Sequence, residues 1–301
     1  MKKILLLLAG LMVLTAVEAQ PFERLTEKTS TAGKVFYSPG FTDRSEKIVN
    51  RIERAMTYYQ RLLEFRPEIQ VLILSKTDWK DFTSFPVYGM PHYDIQRGYL
   101  ILAAEDNAFW QSFIPAENAV TPEMYEQVWQ TYKKPDGKLS MEAFFDLLAL
   151  HELGHAFHYQ AKLNMQRKWM GELFVNVLLH TWVAEEEPAA LPALTLFPIM
   201  VIASGAKDFT YTSLQDIETY YEEIGKMHPR NYGWYQSRWH AAAGDIYSLH
   251  GKTSGKQIWN ALQAQSQTIG TDEALGAFFD AAGAGGIASM MRDWDEQTKR
   301  P

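Results

Sequence analysis

Apolar positions along the chain change their spacing about a third of the way in. Before that point they form short β-rich runs: KVFYSPG (34–40) reads as a strand ended by a Pro-Gly turn, and EIQVLILS (68–75) and RGYLILAA (97–104) read as two more strands. Between the first two, TDRSEKIVNRIERAMTYYQRLLEF (42–65) places Ile48, Ile52, Ala55, Tyr59 and Leu62 at helical spacing, with Thr42 or Asp43 as its cap. The polar residues 20–33 read as an extended lead-in. Strand, helix, strand and strand predict a small mixed sheet.

From Thr121 onward the period is helical. TPEMYEQVWQTYKK begins with a Thr cap and Pro122 in the first turn, and KPDG (134–137) breaks it. A helix starting near Ser140 puts Phe144, Leu148, His151 and His155 on one face. After the loop KLNMQ, a second long helix is predicted over 167–187, stopped by Pro188. Further helices are predicted over 190–203, 213–226, 234–250, 255–267 and 271–282. The fold class is α+β: a mixed N-terminal sheet with helices (20–120), then a helix pair and a largely helical C-terminal part (121–301), together one domain.

Charge and composition narrow the function classes. Lys2 and Lys3 followed by the apolar run Ile4–Val17 and the small-residue site Val17-Glu18-Ala19 read as a cleaved signal peptide over 1–19, which places the mature protein in the periplasm or outside the cell. That run is short for a membrane span, so no membrane insertion is expected after cleavage. The chain carries 29 Lys and Arg against 36 Asp and Glu, a net charge of −7, which argues against nucleic acid or anionic lipid as the main partner. There is no cysteine, so disulfides, cysteine-ligated zinc and a thiol nucleophile are all excluded.

The chemistry concentrates in LLALHELGHAFHYQ (147–160), an apolar stretch that carries His151, Glu152 and His155. Unpaired buried polar groups cost roughly 1–3 kcal/mol each, and a metal ion would satisfy them. Four positions apart on a helix, two imidazoles face one ion, and His-Glu-x-x-His is the spacing in which the glutamate serves as base to an attacking water. One Zn2+ is the expected ion, since it takes imidazole and carboxylate ligands and leaves one position open. A third ligand must come from an element that folds back, and Glu172 in WMGELFVN is best placed. Asn176, one turn on, can orient a ligand imidazole from behind. His180 continues that face, and the glutamates 185–187 read as a solvated helix end.

H-E-L-G-H followed at short range by a glutamate on the next helix resembles the gluzincin metallopeptidases, the group that holds thermolysin and aminopeptidase N. The resemblance implies that His151, His155 and Glu172 are zinc ligands and that Glu152 is the general base. It also implies a strand-rich half with an edge strand before the metal-binding helix, and a peptide or protein substrate. The interval of sixteen residues between His155 and Glu172 is shorter than in the best-known members, and the aminopeptidase Met-Glu-Asn signature is absent. Only fragments of it occur, at Glu105 and Glu117, which leaves cleavage within a chain or at its end open.

For the donor to a developing oxyanion, HPRNYGWYQSRWHAAAGDIYSLHG offers Tyr232, Tyr235 and His240. Tyr235 matches best the tyrosine that related aminopeptidases place beyond their third ligand. Two other function classes fit the same residues: a non-catalytic metal-binding or scaffold protein with this fold, and a zinc hydrolase of non-peptide bonds. Glu152 speaks against the scaffold, which needs no base beside its ligands.

Overall fold

The computed structural model describes residues 22–298, so the signal peptide expected over 1–19 lies outside the described residues. Strands Thr26–Ser30 (β1) and Gly33–Tyr37 (β2) form an antiparallel hairpin. Part of the lead-in is therefore a strand. TEKTS gave no sign of it because β1 is an edge strand with no buried face, so nothing in its sequence has to alternate.

Helix Thr42–Leu63 (α1) connects β2 to Ile69–Leu74 (β3), and β3 is followed by a short helix, Lys76–Phe82 (α2). Ser75 caps α2 by accepting from the Asp78 backbone N–H at 3.2 Å. His92–Asp94 (β4) and Tyr99–Ala103 (β5) complete the sheet in the order β1-β2-β3-β5-β4. β2, β3 and β5 are parallel and aligned Val35–Val71–Leu100, and each of those three residues is wholly buried. Parallel strands are covered on both faces, which is why IQVLIL and YLILA are almost continuously apolar. β4 pairs antiparallel with β5 and forms the far edge of the sheet.

The rest of the described chain is helical: Ala108–Gln111 (α3), Pro122–Tyr132 (α4), Glu142–Gln160 (α5), Met170–Glu186 (α6), Leu191–Ala203 (α7), Leu214–Met227 (α8), Pro229–His250 (α9), Ser254–Ala264 (α10), Asp272–Ala281 (α11) and Gly285–Thr298 (α12). The α+β class holds, with a mixed five-stranded sheet first and helices after. Three helices were not legible. α2 is only two turns long and α3 a single turn, and α12 starts inside the glycine-rich AAGAGG, which reads as a terminator. α9 begins at Pro229 rather than 234, because proline at the first helical position needs no N–H partner.

Helix α6 is the axis of the helical part. Leu173 through Leu179 have no exposed surface at all, and α5, α7, α9 and α10 pack around them. A helix that is apolar on every side requires such a sleeve, and each large side chain so buried contributes roughly 1.5–3 kcal/mol. α5 lies between α6 and the sheet, touching β4, β5 and α1. Lys162, at φ 54°, turns the chain in the left-handed region after α5 and helps send α6 back antiparallel.

Arg44 of α1 grips the Asp146 carboxylate of α5 with both guanidinium nitrogens, one of them at 2.6 Å. Glu187 accepts from Arg51 at 3.1 Å and from Arg54 at 2.7 Å, so this member of the glutamate run ties α6 to α1 instead of ending in solvent. No helix among the described residues is long and apolar enough to cross a membrane.

Candidate metal centre

The antiparallel α5–α6 pair brings two distant stretches of sequence into register. Gly154 makes this possible: a methyl group there would stand 2.9 Å from Val175 Cβ and Cγ1 and 3.4 Å from its Cα. With no side chain in the way, α6 settles against the ligand face of α5. Glu172 then stands opposite His151 and His155, and Asn176 lies behind His151.

His151 Nε2 is 3.1 Å from Glu172 Oε2, His155 Nε2 is 3.2 Å from His151 Nε2, and His155 Nε2 is 3.6 Å from Glu172 Oε2. The outer ring nitrogens are held from behind. His151 Nδ1 donates to Asn176 Oδ1 at 2.9 Å, and His155 Nδ1 lies 2.9 Å from His158 Nε2. An amide oxygen can only accept, so neutral His151 carries its proton on Nδ1 and presents the Nε2 lone pair inward. With His155 Nδ1 donating to His158, the second Nε2 lone pair turns inward as well. Two lone pairs and a carboxylate oxygen then converge in a buried triangle, and these three residues form a group that could hold a metal ion.

The clustered groups shift one another's titration. Burial opposes the charge on Glu172, yet the imidazoles of His155 and His151 hold its carboxyl well below the ordinary value. Burial also opposes a charged His151, but the Glu172 hydrogen bond and the Glu152 and Glu172 charges raise it overall. Each partner is shifted toward the state that places positive charge between them. Behind them, burial and the charge of His155 hold His158 down at about 3, which keeps it a neutral orienter.

Asn176 is wholly buried, and its Nδ2 finds no hydrogen-bond partner among the described residues. Leaving an amide N–H unsatisfied costs roughly 1–3 kcal/mol, and at this site the amide does one thing, which is to fix the His151 ring.

Glu152 is half-buried on α5 and makes no hydrogen bond or ion pair among the described residues. Burial pushes its carboxyl up, against the pull of His155, His151 and, from β4, His92. A carboxylate beside the ligands with raised basicity and no partner is free to exchange a proton with whatever occupies the site.

On the other side α8 and α9 close over Glu172. Tyr221 donates to Glu172 Oε1 at 2.9 Å, and Gln236 Nε2 donates to Glu172 Oε2 and to Tyr232 Oη, both at 2.9 Å. The two tyrosine hydroxyls are 3.2 Å apart. Burial and the Glu172 charge push both phenols far up, so they remain donors. Neither Tyr221 nor Gln236 was singled out from sequence. Tyr221 does fall on the buried stripe of α8 with Leu214, Ile217 and Ile224, where a hydroxyl calls for a buried partner, and Gln236 sits one turn from both Tyr232 and His240.

Tyr235 belongs elsewhere. Its hydroxyl donates to the Ser213 carbonyl at 2.8 Å, and its ring packs against Trp239 and Trp294 in a three-ring cluster. One residue back from Gln236 on a helix is a rotation of about 100°, which carries Tyr235 off the site face. Tyr232 faces the site, but its hydroxyl is engaged by Tyr221 and Gln236. His240 is buried, its ring centre is 6.2 Å from that of His151, and its nitrogens make no hydrogen bond among the described residues. Burial and the His151 charge hold it down at about 3, in the neutral form.

His180 packs against Gly244 and Tyr247 instead of joining the ligands. Glu105 accepts from Tyr88 Oη at 3.3 Å and from the Lys76 N–H at 3.4 Å, and Glu117 lies in a one-turn helix, Glu117–Ala119.

No protein-family model and no curated protein matches the chain.

Proposed function

We propose that the protein is an exported zinc-dependent hydrolase of peptide bonds, of gluzincin type. The observation that carries the metal is the triangle of His151 Nε2, His155 Nε2 and Glu172 Oε2. Its edges of 3.1, 3.2 and 3.6 Å compare with about 3.3 Å between ligand atoms of a tetrahedral zinc whose bonds are about 2.0–2.1 Å. Three protein ligands of this kind leave a position for substrate or water, as catalytic zinc sites do, whereas structural sites are closed by four. Bound there, the ion would supply Lewis acidity, acidifying a water and polarising a carbonyl.

The chain's own groups supply the rest. Glu152 takes the proton of the attacking water and passes it to the leaving amine, which its unpartnered, burial-raised carboxylate suits it to do. His240, neutral and with free ring nitrogens, is the donor available to a developing oxyanion. Among the described residues β4 leaves its outer backbone edge without a strand partner, and it packs against α5, so an extended peptide can pair with it near Glu152. Glu152 also favours the enzyme over a metal-binding scaffold, which would have no use for a half-buried free carboxylate.

The test is metal analysis of the purified protein followed by incubation with a mixed peptide library, with and without a chelator. One zinc per chain and cuts that vanish on chelation and return with zinc are expected. Zinc without cleavage would support the scaffold. Cuts confined to the amino end would identify an aminopeptidase.

A further inference from the structure

The two oxygens of Glu172 have different surroundings, and the difference is imposed from outside the α5–α6 pair. Oε1 accepts from Tyr221, while both imidazoles approach Oε2. Oε2 faces both Nε2 atoms and accepts from Gln236 on its flank. These donors are themselves held. Gln236 Nε2 also donates to Tyr232 Oη, and Tyr232 Oη lies within hydrogen-bond reach of Tyr221 Oη. One proton order satisfies the whole chain: Gln236 to Tyr232, Tyr232 to Tyr221, Tyr221 to Oε1, and Gln236 to Oε2.

Helix α8 is kinked directly before Tyr221. Tyr220, immediately before it, has non-helical angles of φ −111° and ψ 25°, and the helix kinks there. The kink separates an exposed Tyr220 from a Tyr221 that points inward.

Resting on the metal-site reading above, we infer that Tyr221 and Gln236 are positioning residues for the third ligand: they hold Glu172 so that one oxygen alone faces the metal position. A carboxylate free to rotate can offer both oxygens and take up the position that substrate or water needs. With Oε1 occupied by Tyr221, Glu172 is limited to a single bond and the site keeps its opening. The two residues touch Glu172 and act through it.

The test uses the full mature chain and two readings besides activity: zinc affinity by competition with a chromophoric chelator, and the visible spectrum of the cobalt(II)-loaded protein, which reports coordination number. Both variants nearly keep the packing volume: Tyr221→Phe removes the donor to Oε1, and Gln236→Met removes the donor to Oε2 together with its bond to Tyr232. Each is expected to bind zinc on the order of 10–100-fold more weakly than wild type, the usual scale for losing an outer partner of a ligand. The cobalt band of Tyr221→Phe should weaken and shift as the freed Oε1 joins the coordination. Tyr220→Phe, on the exposed side of the kink, should match wild type. If both inner variants melt earlier yet keep wild-type zinc affinity and the wild-type cobalt band, the hydrogen bonds only stabilise the fold and the inference is overturned. If wild type itself takes up neither zinc nor cobalt, the metal-site reading fails, and the inference falls with it.

Discussion

His155 Nδ1 and His158 Nε2 stand 2.9 Å apart, so the second imidazole of the triangle is backed by another imidazole where a carboxylate often serves. Asn176 backs the first, also without charge. Both imidazoles are thus oriented by neutral partners, and the negative charge of the centre comes from Glu172 and Glu152. His158→Ala should leave the fold intact and weaken zinc binding on the order of 10–100-fold. A competition titration checks this, and wild-type affinity in the variant would reduce His158 to a packing residue.

The approach of α6 to α5 rests on the missing side chain at Gly154. Gly154→Ala gains about 1 kcal/mol of helix propensity but drives a methyl into Val175, and overpacking of this kind costs about 1–3 kcal/mol. Because the displaced helix carries Glu172 and Asn176, stability and metal uptake should fall together. Thermal unfolding and zinc content measured on one preparation show whether they do; loss of neither would mean that the helices need not be this close.

Helix α8 is started by a reciprocal cap in which Ser213 accepts from the Asp216 N–H, while the Asp216 carboxylate accepts from the Thr212 and Ser213 N–H groups, each at 3.0 Å. Burial opposes the Asp216 charge, but those hydrogen bonds lower its carboxyl overall. A carboxyl lowered in the folded state adds stability that is present above its unfolded value, about 3.9, and is lost as pH falls through the folded one. Asp216→Ala should therefore cost about 0.5–2 kcal/mol near neutral pH and progressively less in acid. Unfolding curves for both proteins across that range measure the difference; a penalty that stays constant down to about pH 2 would contradict this origin.

Features governed by local pattern were legible in the sequence. The period change near Thr121 marks where the sheet ends and the helices take over, and the spacing of His151 and His155 on α5 followed from helix geometry. Glu172 and Asn176 could be placed because the loop before α6 is short, which forces an antiparallel return. Signals failed where tertiary context decides. β1 has no buried face to pattern, and α12 starts among glycines. Tyr235 and Tyr232 are three residues apart on one helix, and only the packing of α9 sends the first into a tryptophan stack and the second to the site. Tyr221 lies on the buried stripe of α8, but which buried partner its hydroxyl meets is decided by how α8 packs over Glu172.

The central claim is that Glu152 exchanges a proton with the substrate water while His151, His155 and Glu172 hold zinc. Glu152→Gln removes the base, keeps the side-chain volume and leaves the three ligands untouched. One zinc per chain, an unchanged melting curve, and peptide cleavage slower by on the order of 10²–10⁴ are expected. Cleavage at the wild-type rate by a zinc-loaded Glu152→Gln protein would contradict that claim.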